Sequence, residues 1–101
     1  MNVKKARDVR GALVRKGFTE TGGGRDHIFY FLYYNQKKTN VWTKISHNET
    51  DIRAPLLSGM AKQLKITNRE FGDFIECSLD GDGYIRLLIE RNTLTPDPIQ
   101  G

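Results

Sequence analysis

The sequence predicts an α+β protein built around one core. Three observations carry that expectation: an N-terminal segment whose apolar residues recur at the helical period, two β-rich runs joined by the polar "NQKK", and a second half whose apolar stripes are helical again. A chain of 101 residues is too short for two cores, since each half would bury too small a share of its surface.

Residues 3–16 place Val3, Ala6, Val9, Ala12, Leu13 and Val14 near the helical period, with Lys4, Lys5, Arg7, Arg10, Arg15 and Lys16 between them. The expected element is an amphipathic helix with a basic outer face. Gly17 ends it as a C-terminal cap, and Phe18 turns back onto the core. "FTET" reads as a short extended piece, and the three glycines after it as a turn. "HIFYFLYY" and "TNVWTKIS" are expected to form an antiparallel hairpin. Alternation puts His27, Phe29, Phe31 and Tyr33 on one face of the first strand, and makes Val41, Thr43 and Ile45 the core face of the second.

"HNETDIRAP" reads as a loop, after which "LLSGMAKQLKI" carries a helical stripe at 56, 57, 60, 61 and 64. Thr67 is expected to cap a further helix through a capping box with Glu70. "LDGDGYIRLLIERN" is expected to be a last helix, its "DGDG" a helix-start turn and not a cation loop, because a calcium loop needs ligands continuing at fixed positions and here the segment becomes an apolar helix within two residues. The domain organisation expected is a core over 1–67, a helical extension over 68–92 packed on the same domain, and a flexible tail over 93–101.

Charge is unevenly spread. Residues 1–50 carry ten Lys and Arg against four Asp and Glu, and residues 51–101 carry six against eight. The basic half also holds both histidines, and a positive field there suits a polyanion, with nucleic acid the leading partner class. No apolar run approaches the ~18 residues of a membrane span, and the basic N-terminus lacks the apolar stretch of a signal peptide. The expectation is a cytoplasmic protein with no membrane partner. Cys77, the single cysteine, has no second thiol for a disulfide or zinc site and is expected to fill the core. No nucleotide-binding loop, metal-ligand motif or cofactor fingerprint is present, so no cofactor and no metal are expected.

The chemistry-bearing residues collect around the hairpin. His27 opens the first strand behind the glycine turn, flanked by Arg25 and Asp26, and His47 closes the second. Histidine suits proton transfer near neutral pH. If "NQKK" turns the chain back, residues 46 and 47 approach the start of the first strand and bring the two histidines near one another. Lys37, Lys38 and Lys44, with Tyr33, Tyr34 and Trp42 among them, form a mixture of cations and stacking surfaces suited to single-stranded nucleic acid. The same residues also read as a half-buried hairpin with a solvated face.

The ordered set Gly17–Phe18, Gly24, His27 with Phe29 and Tyr30, the strand ending "TKISH", and the helix "LLSGMAKQLKIT" resembles the HicA-like toxins of bacterial type II toxin–antitoxin modules over roughly residues 5–67. The chain writes "GRDH" where that family writes "GSH", and it continues beyond residue 67 through further helices. The resemblance implies a double-stranded-RNA-binding-domain-like α-β-β-β-α core with additional C-terminal helices. It also implies metal-independent endoribonuclease cleavage of mRNA and neutralisation by a HicB-like antitoxin. On that reading His27 and His47 are catalytic, and Lys4, Lys5, Arg25, Lys37, Lys38, Trp42 and Lys44 bind RNA. The rival reading is a noncatalytic RNA-binding or protein-interaction module of the same fold, including a prophage-derived relative without activity.

Overall fold

The computed structural model describes residues 3–22 and 26–95. The chain opens with strand β1 (Val3–Lys5), and helix α1 (Ala6–Arg15) follows. The start of the expected helix is therefore extended, and the cause lies downstream. β1 pairs antiparallel with β5 (Asp51–Arg53), setting Lys4 opposite Ile52, and the Ala6 N–H donates to the Thr50 carbonyl at 2.9 Å. This pairing satisfies backbone groups that a free helix start would leave orphaned. β5 lies inside the segment expected to be a loop, and its three residues are too few to show an alternation. Ala6, Val9, Ala12 and Leu13 are buried, whereas Val3 and Val14 of the expected stripe are exposed.

Gly17 ends α1 with φ of 101°, a backbone conformation that costs an L side chain but not glycine. Its carbonyl accepts the Tyr33 N–H at 3.1 Å, tying the helix end to the sheet. That sheet is antiparallel with order β2 (Phe18–Thr21), β3 (His27–Tyr34), β4 (Lys37–Ser46). Lys37 and Lys38 belong to β4 and not to the turn, which consists of Asn35 and Gln36 alone, at φ 53° and 66°. Two residues in the left-handed region match the twist of the flanking strands. Between this turn and the rest of the hairpin the register shifts, from Tyr33 opposite Lys38 to Phe31 opposite Trp42. The Thr39 hydroxyl donates to the Leu32 carbonyl at 2.8 Å and accepts the Val41 N–H at 3.1 Å, filling the ladder where the bulge interrupts it.

The turn yields a stability prediction. A non-glycine residue in the left-handed region costs roughly 1–2 kcal/mol, and glycine removes that cost. Gln36→Gly is expected to stabilise the protein by about 1 kcal/mol, raising the thermal midpoint by about 4–8 °C. Thermal denaturation followed by circular dichroism checks this, and an unchanged or lowered midpoint contradicts it.

Three further helices follow: α2 (Ala54–Gln63), α3 (Asn68–Ile75) and α4 (Gly81–Glu90). Leu57, Met60, Ala61 and Leu64 of the expected stripe are buried, while Leu56 is left exposed. The capping box forms as expected, with the Glu70 N–H donating to Thr67 Oγ1 at 3.1 Å and the Thr67 N–H to Glu70 Oε1 at 2.9 Å. "DGDG" starts α4, where Asp80 Oδ1 accepts the Gly83 N–H at 2.8 Å.

Glu70 also receives the Arg91 guanidinium, with Nη1 at 2.8 Å from Oε1. The Arg91 hydrogen bonds, helped by the Thr67 N–H, hold the Glu70 carboxyl down to about 2. The unfolded chain takes up this proton near the ordinary value of 4.5, and the folded chain resists it until about pH 2. The contribution to stability is therefore complete above pH 4.5 and lost as pH falls toward 2. Comparing urea midpoints at pH 7 and pH 3 tests it: Glu70→Gln should show a smaller acid loss than the wild type, and an equal loss would contradict the assignment.

All four helices pack against one face of the three-stranded sheet. Tyr30, Leu32, Val41 and Ile45 point into a single cluster with Val9 and Leu13 of α1, Leu57 of α2, Phe71 and Phe74 of α3, and Tyr84 and Leu88 of α4. Thr43 is buried on the same face and bonds Gln63 Oε1 at 2.6 Å, and Tyr84 donates its hydroxyl to the Leu64 carbonyl at 2.8 Å. Leu94 joins the core at 9% exposure, with its N–H on the Leu88 carbonyl at 3.2 Å. The packed chain thus runs past residue 93, where the tail was expected to begin, and residues 96–101 of that tail lie outside the described residues.

Cys77 does not fill the core. It is exposed just beyond α3 at φ 68°, with Arg15 Nη2 at 3.2 Å and Lys16 Nζ at 3.6 Å from Sγ. The hydrogen bond from Arg15, joined by the nearby positive charges, lowers its thiol below the ordinary value. Among the described residues no helix is long and apolar enough to cross a membrane.

Candidate nucleic-acid interface

With the helices gathered on one side, no helix among the described residues covers the other face of the sheet, whose rings are half-buried. Along β3 it presents His27, Phe29 and Phe31, and opposite them on β4 stand Ser46, Lys44 and Trp42 in the same order. On the other flank Thr21 and Thr19 of β2 oppose Phe29 and Phe31. None of these residues belongs to the buried cluster or to the hydrophobics packed against it. The pleat produces the division, because the alternation that sends Tyr30 and Leu32 inward sends their neighbours outward.

The three outward rings touch one another. Trp42 lies 5.8 Å from Phe29 and 6.1 Å from Phe31, centroid to centroid, with Phe29 and Phe31 6.5 Å apart. Interplanar angles of 19° to 39° make them a roughly parallel set. Lys38 places its ammonium 4.0 Å from the Phe31 centroid, a cation–π contact that the bulge brings within reach. Lys44 is exposed opposite Phe29, and Lys37 is exposed opposite Tyr34. Tyr34 itself packs partly against the core, whereas Tyr33 is exposed.

His27 is half-buried at the end of this face. The backbone N–H of His47 donates to the Asp26 carbonyl at 3.0 Å, so the two histidines sit at the same end of the hairpin. They are not a directly opposed pair: Ser46 is the residue across from His27, and His47 comes one position later in a turn where the Glu49 N–H bonds the Ser46 carbonyl at 3.2 Å.

Arg10 was expected only as part of a basic helix surface, yet it is half-buried and donates from Nη2 to the Ser46 carbonyl at 3.0 Å. It thereby ties α1 to the strand residue opposite His27. The signal was present in the spacing, since Arg10 falls between Ala6 and Leu13 at helical intervals and so lies on the face that turns inward. Arg10 also neighbours the buried Tyr30 hydroxyl, whose pKa is raised by burial and then by Glu20, its cross-strand partner, with Arg10 acting in the opposite direction.

The remaining expected RNA contacts fall elsewhere. Lys4 and Lys5 sit on β1 and are ion-paired, Lys4 with Glu76 at 2.9 Å and Lys5 with Asp51 at 3.3 Å. Lys5 also lines, with Arg7 and Arg10, a cleft of about 320 Å³ beside Glu49 and Thr50, next to the hairpin end that carries the histidines. Arg25 lies outside the described residues.

Fold and face together define an α+β protein with helices on one side of a small antiparallel sheet and an open aromatic and cationic surface on the other. The chain matches no known family model, no curated protein and no solved structure.

Proposed function

We propose that this protein is a metal-independent endoribonuclease acting on mRNA, an interferase of the HicA-like toxin type, with His27 as its catalytic residue. The observation that carries the reading is the position of His27: at the end of the sheet face opposite the helices, two residues along β3 from Phe29, which pairs with Lys44 and belongs to a set of aromatic rings. The run α1, β2, β3, β4 supports it, in line with the helix and three strands that open a double-stranded-RNA-binding-domain-like core, although β1 precedes α1 and β5 stands between β4 and α2.

The chemistry needs no cofactor. His27 takes the proton from a ribose 2′-hydroxyl, the 2′-oxygen attacks the adjacent phosphorus, and the bond from phosphorus to the 5′-oxygen breaks. The products are a 2′,3′-cyclic phosphate and a 5′-hydroxyl, the latter protonated by an imidazolium. His47, at the same end of the hairpin, is the candidate for that donor. Lys44 stands two residues along the strand from Ser46, the partner of His27, where its ammonium offsets negative charge building on the phosphate oxygens. Arg10 positions the site through the Ser46 carbonyl. A HicB-like antitoxin, covering the open face in the cytoplasm, would silence the enzyme.

Induced expression in bacteria tests the reading. Wild-type protein should stop growth and fragment mRNA, and His27→Ala, made at the same soluble level, should do neither. Equal behaviour of the two proteins would instead favour a noncatalytic binding module.

A further inference from the structure

We infer that Phe29 and Trp42 form a base-stacking subsite for an unpaired RNA strand, which sets the nucleotide beside the scissile phosphate at His27. This rests on the proposed nuclease reading for its link to His27, but the stacking site itself stands on separate observations.

The first is the location of the rings. Phe29, Phe31 and Trp42, each half-buried, lie outside the core cluster and contact one another on the face that no helix among the described residues covers. Cross-strand aromatic contacts contribute only ~0.2–1 kcal/mol each to a sheet, well below the ~1.5–3 kcal/mol from fully burying a large apolar side chain. The second is charge. Lys38 reaches over Phe31, and Lys44 stands across from Phe29, so a polyanion with planar apolar groups is the chemistry that complements both features. With Lys38 occupying Phe31, the rings left for bases are Phe29 and Trp42.

The third is register. His27 and Phe29 are two residues apart on one strand, hence about 7 Å along it. A base stacked on Phe29 therefore leaves its own phosphate within reach of Lys44 and His27. A duplex cannot make this contact, because its bases are already stacked and its wide minor groove offers hydroxyls and edges instead of ring faces. The occupant is an unpaired strand.

Trp42 is the only tryptophan in the chain, so its fluorescence reports on this face directly. The full-length His27→Ala protein, slowed in cleavage under the proposed mechanism, is titrated with a short RNA lacking self-complementarity, with the same sequence as a duplex, and with an abasic strand carrying the same phosphates. The expected result is strong quenching by the unpaired RNA and little by the other two. Adding Phe29→Ala should weaken affinity for the unpaired strand about 10-fold to 100-fold while circular dichroism stays unchanged.

Equal quenching by duplex or abasic strand would overturn the subsite, leaving only a charged surface. So would a fluorescence change that follows protein concentration without RNA, which would assign the face to a second copy of the chain. Cleavage by the wild type is measured in parallel. His27-dependent cleavage without Trp42 quenching removes the stacking site and keeps the nuclease; quenching without cleavage does the reverse.

Discussion

Phe74→Ala is expected to destabilise the protein by about 3–5 kcal/mol, the range for emptying a buried aromatic site. Phe74 is fully buried in α3, its ring edge-on to Tyr84 at 5.0 Å and to Phe18 at 6.3 Å, with Phe71 at 5.9 Å. The Lys16 ammonium lies 5.2 Å from its centroid, so loss of the ring also removes the surface against which that half of the α1 terminus packs. Small domains hold only about 5–15 kcal/mol in total. A single truncation here therefore consumes a large share of the folding free energy, and chemical denaturation should show it as a large fall in midpoint with a similar slope. A loss below about 1 kcal/mol would mean that α3 and α4 contribute little to the core.

That result bears on how the C-terminal helices are understood. The HicA-like core proposed for this chain ends near residue 67, which invites reading the rest as an appendage. Phe18, inside the resembling segment, contacts Phe74 and Tyr84, which lie beyond it. The open sheet face is held by a core that is completed only when α3 and α4 are in place.

The hairpin shows which features the sequence made legible. Alternation grouped His27, Phe29, Phe31 and Tyr33 on one face of β3 and made Val41, Thr43 and Ile45 the core face of β4, because a pleated strand has one strict period, while which face of β3 turns inward depends on the tertiary packing. The sequence suggests a four-residue turn, whereas the turn is Asn35 and Gln36 alone, yet residue 46 still meets the start of β3. The true turn is two residues shorter, and the bulge at Thr39–Val41 shifts the register back by two, which preserves the faces. The pairing of β1 with β5 was not legible, since two three-residue strands carry too little pattern and their partnership depends on where α1 and α2 bring the chain. Cys77 was misplaced for a similar reason. Its residue type favours burial, but it follows the end of α3 in a left-handed conformation that points it toward Arg15 and Lys16. Lys4 and Lys5 looked like free cations on a helix, and only the tertiary structure brings Glu76 and Asp51 against them.

For the site, the largest effect is expected at His27. In purified protein, His27→Ala should lower the rate of RNA cleavage by about 10²-fold to 10⁴-fold, the range for removing a positioned general acid or base. The ring is half-buried at a strand end and contributes nothing to the core cluster, so folding should be retained. RNA affinity should change little, because the stacking rings and the lysines remain. A fall in turnover at constant affinity is the pattern of a group that acts in the transition state and not in binding. Added imidazole should restore part of the rate, since the alanine leaves space where a free ring can take the 2′-hydroxyl proton, whereas a merely structural histidine would not respond. The cyclic phosphate end group supplies a second readout, as it forms only when the ribose hydroxyl is the nucleophile. A variant that cleaves at the wild-type rate, or wild-type products ending in a simple 3′-hydroxyl, would remove His27 from the chemistry and leave the open sheet face as a binding surface alone.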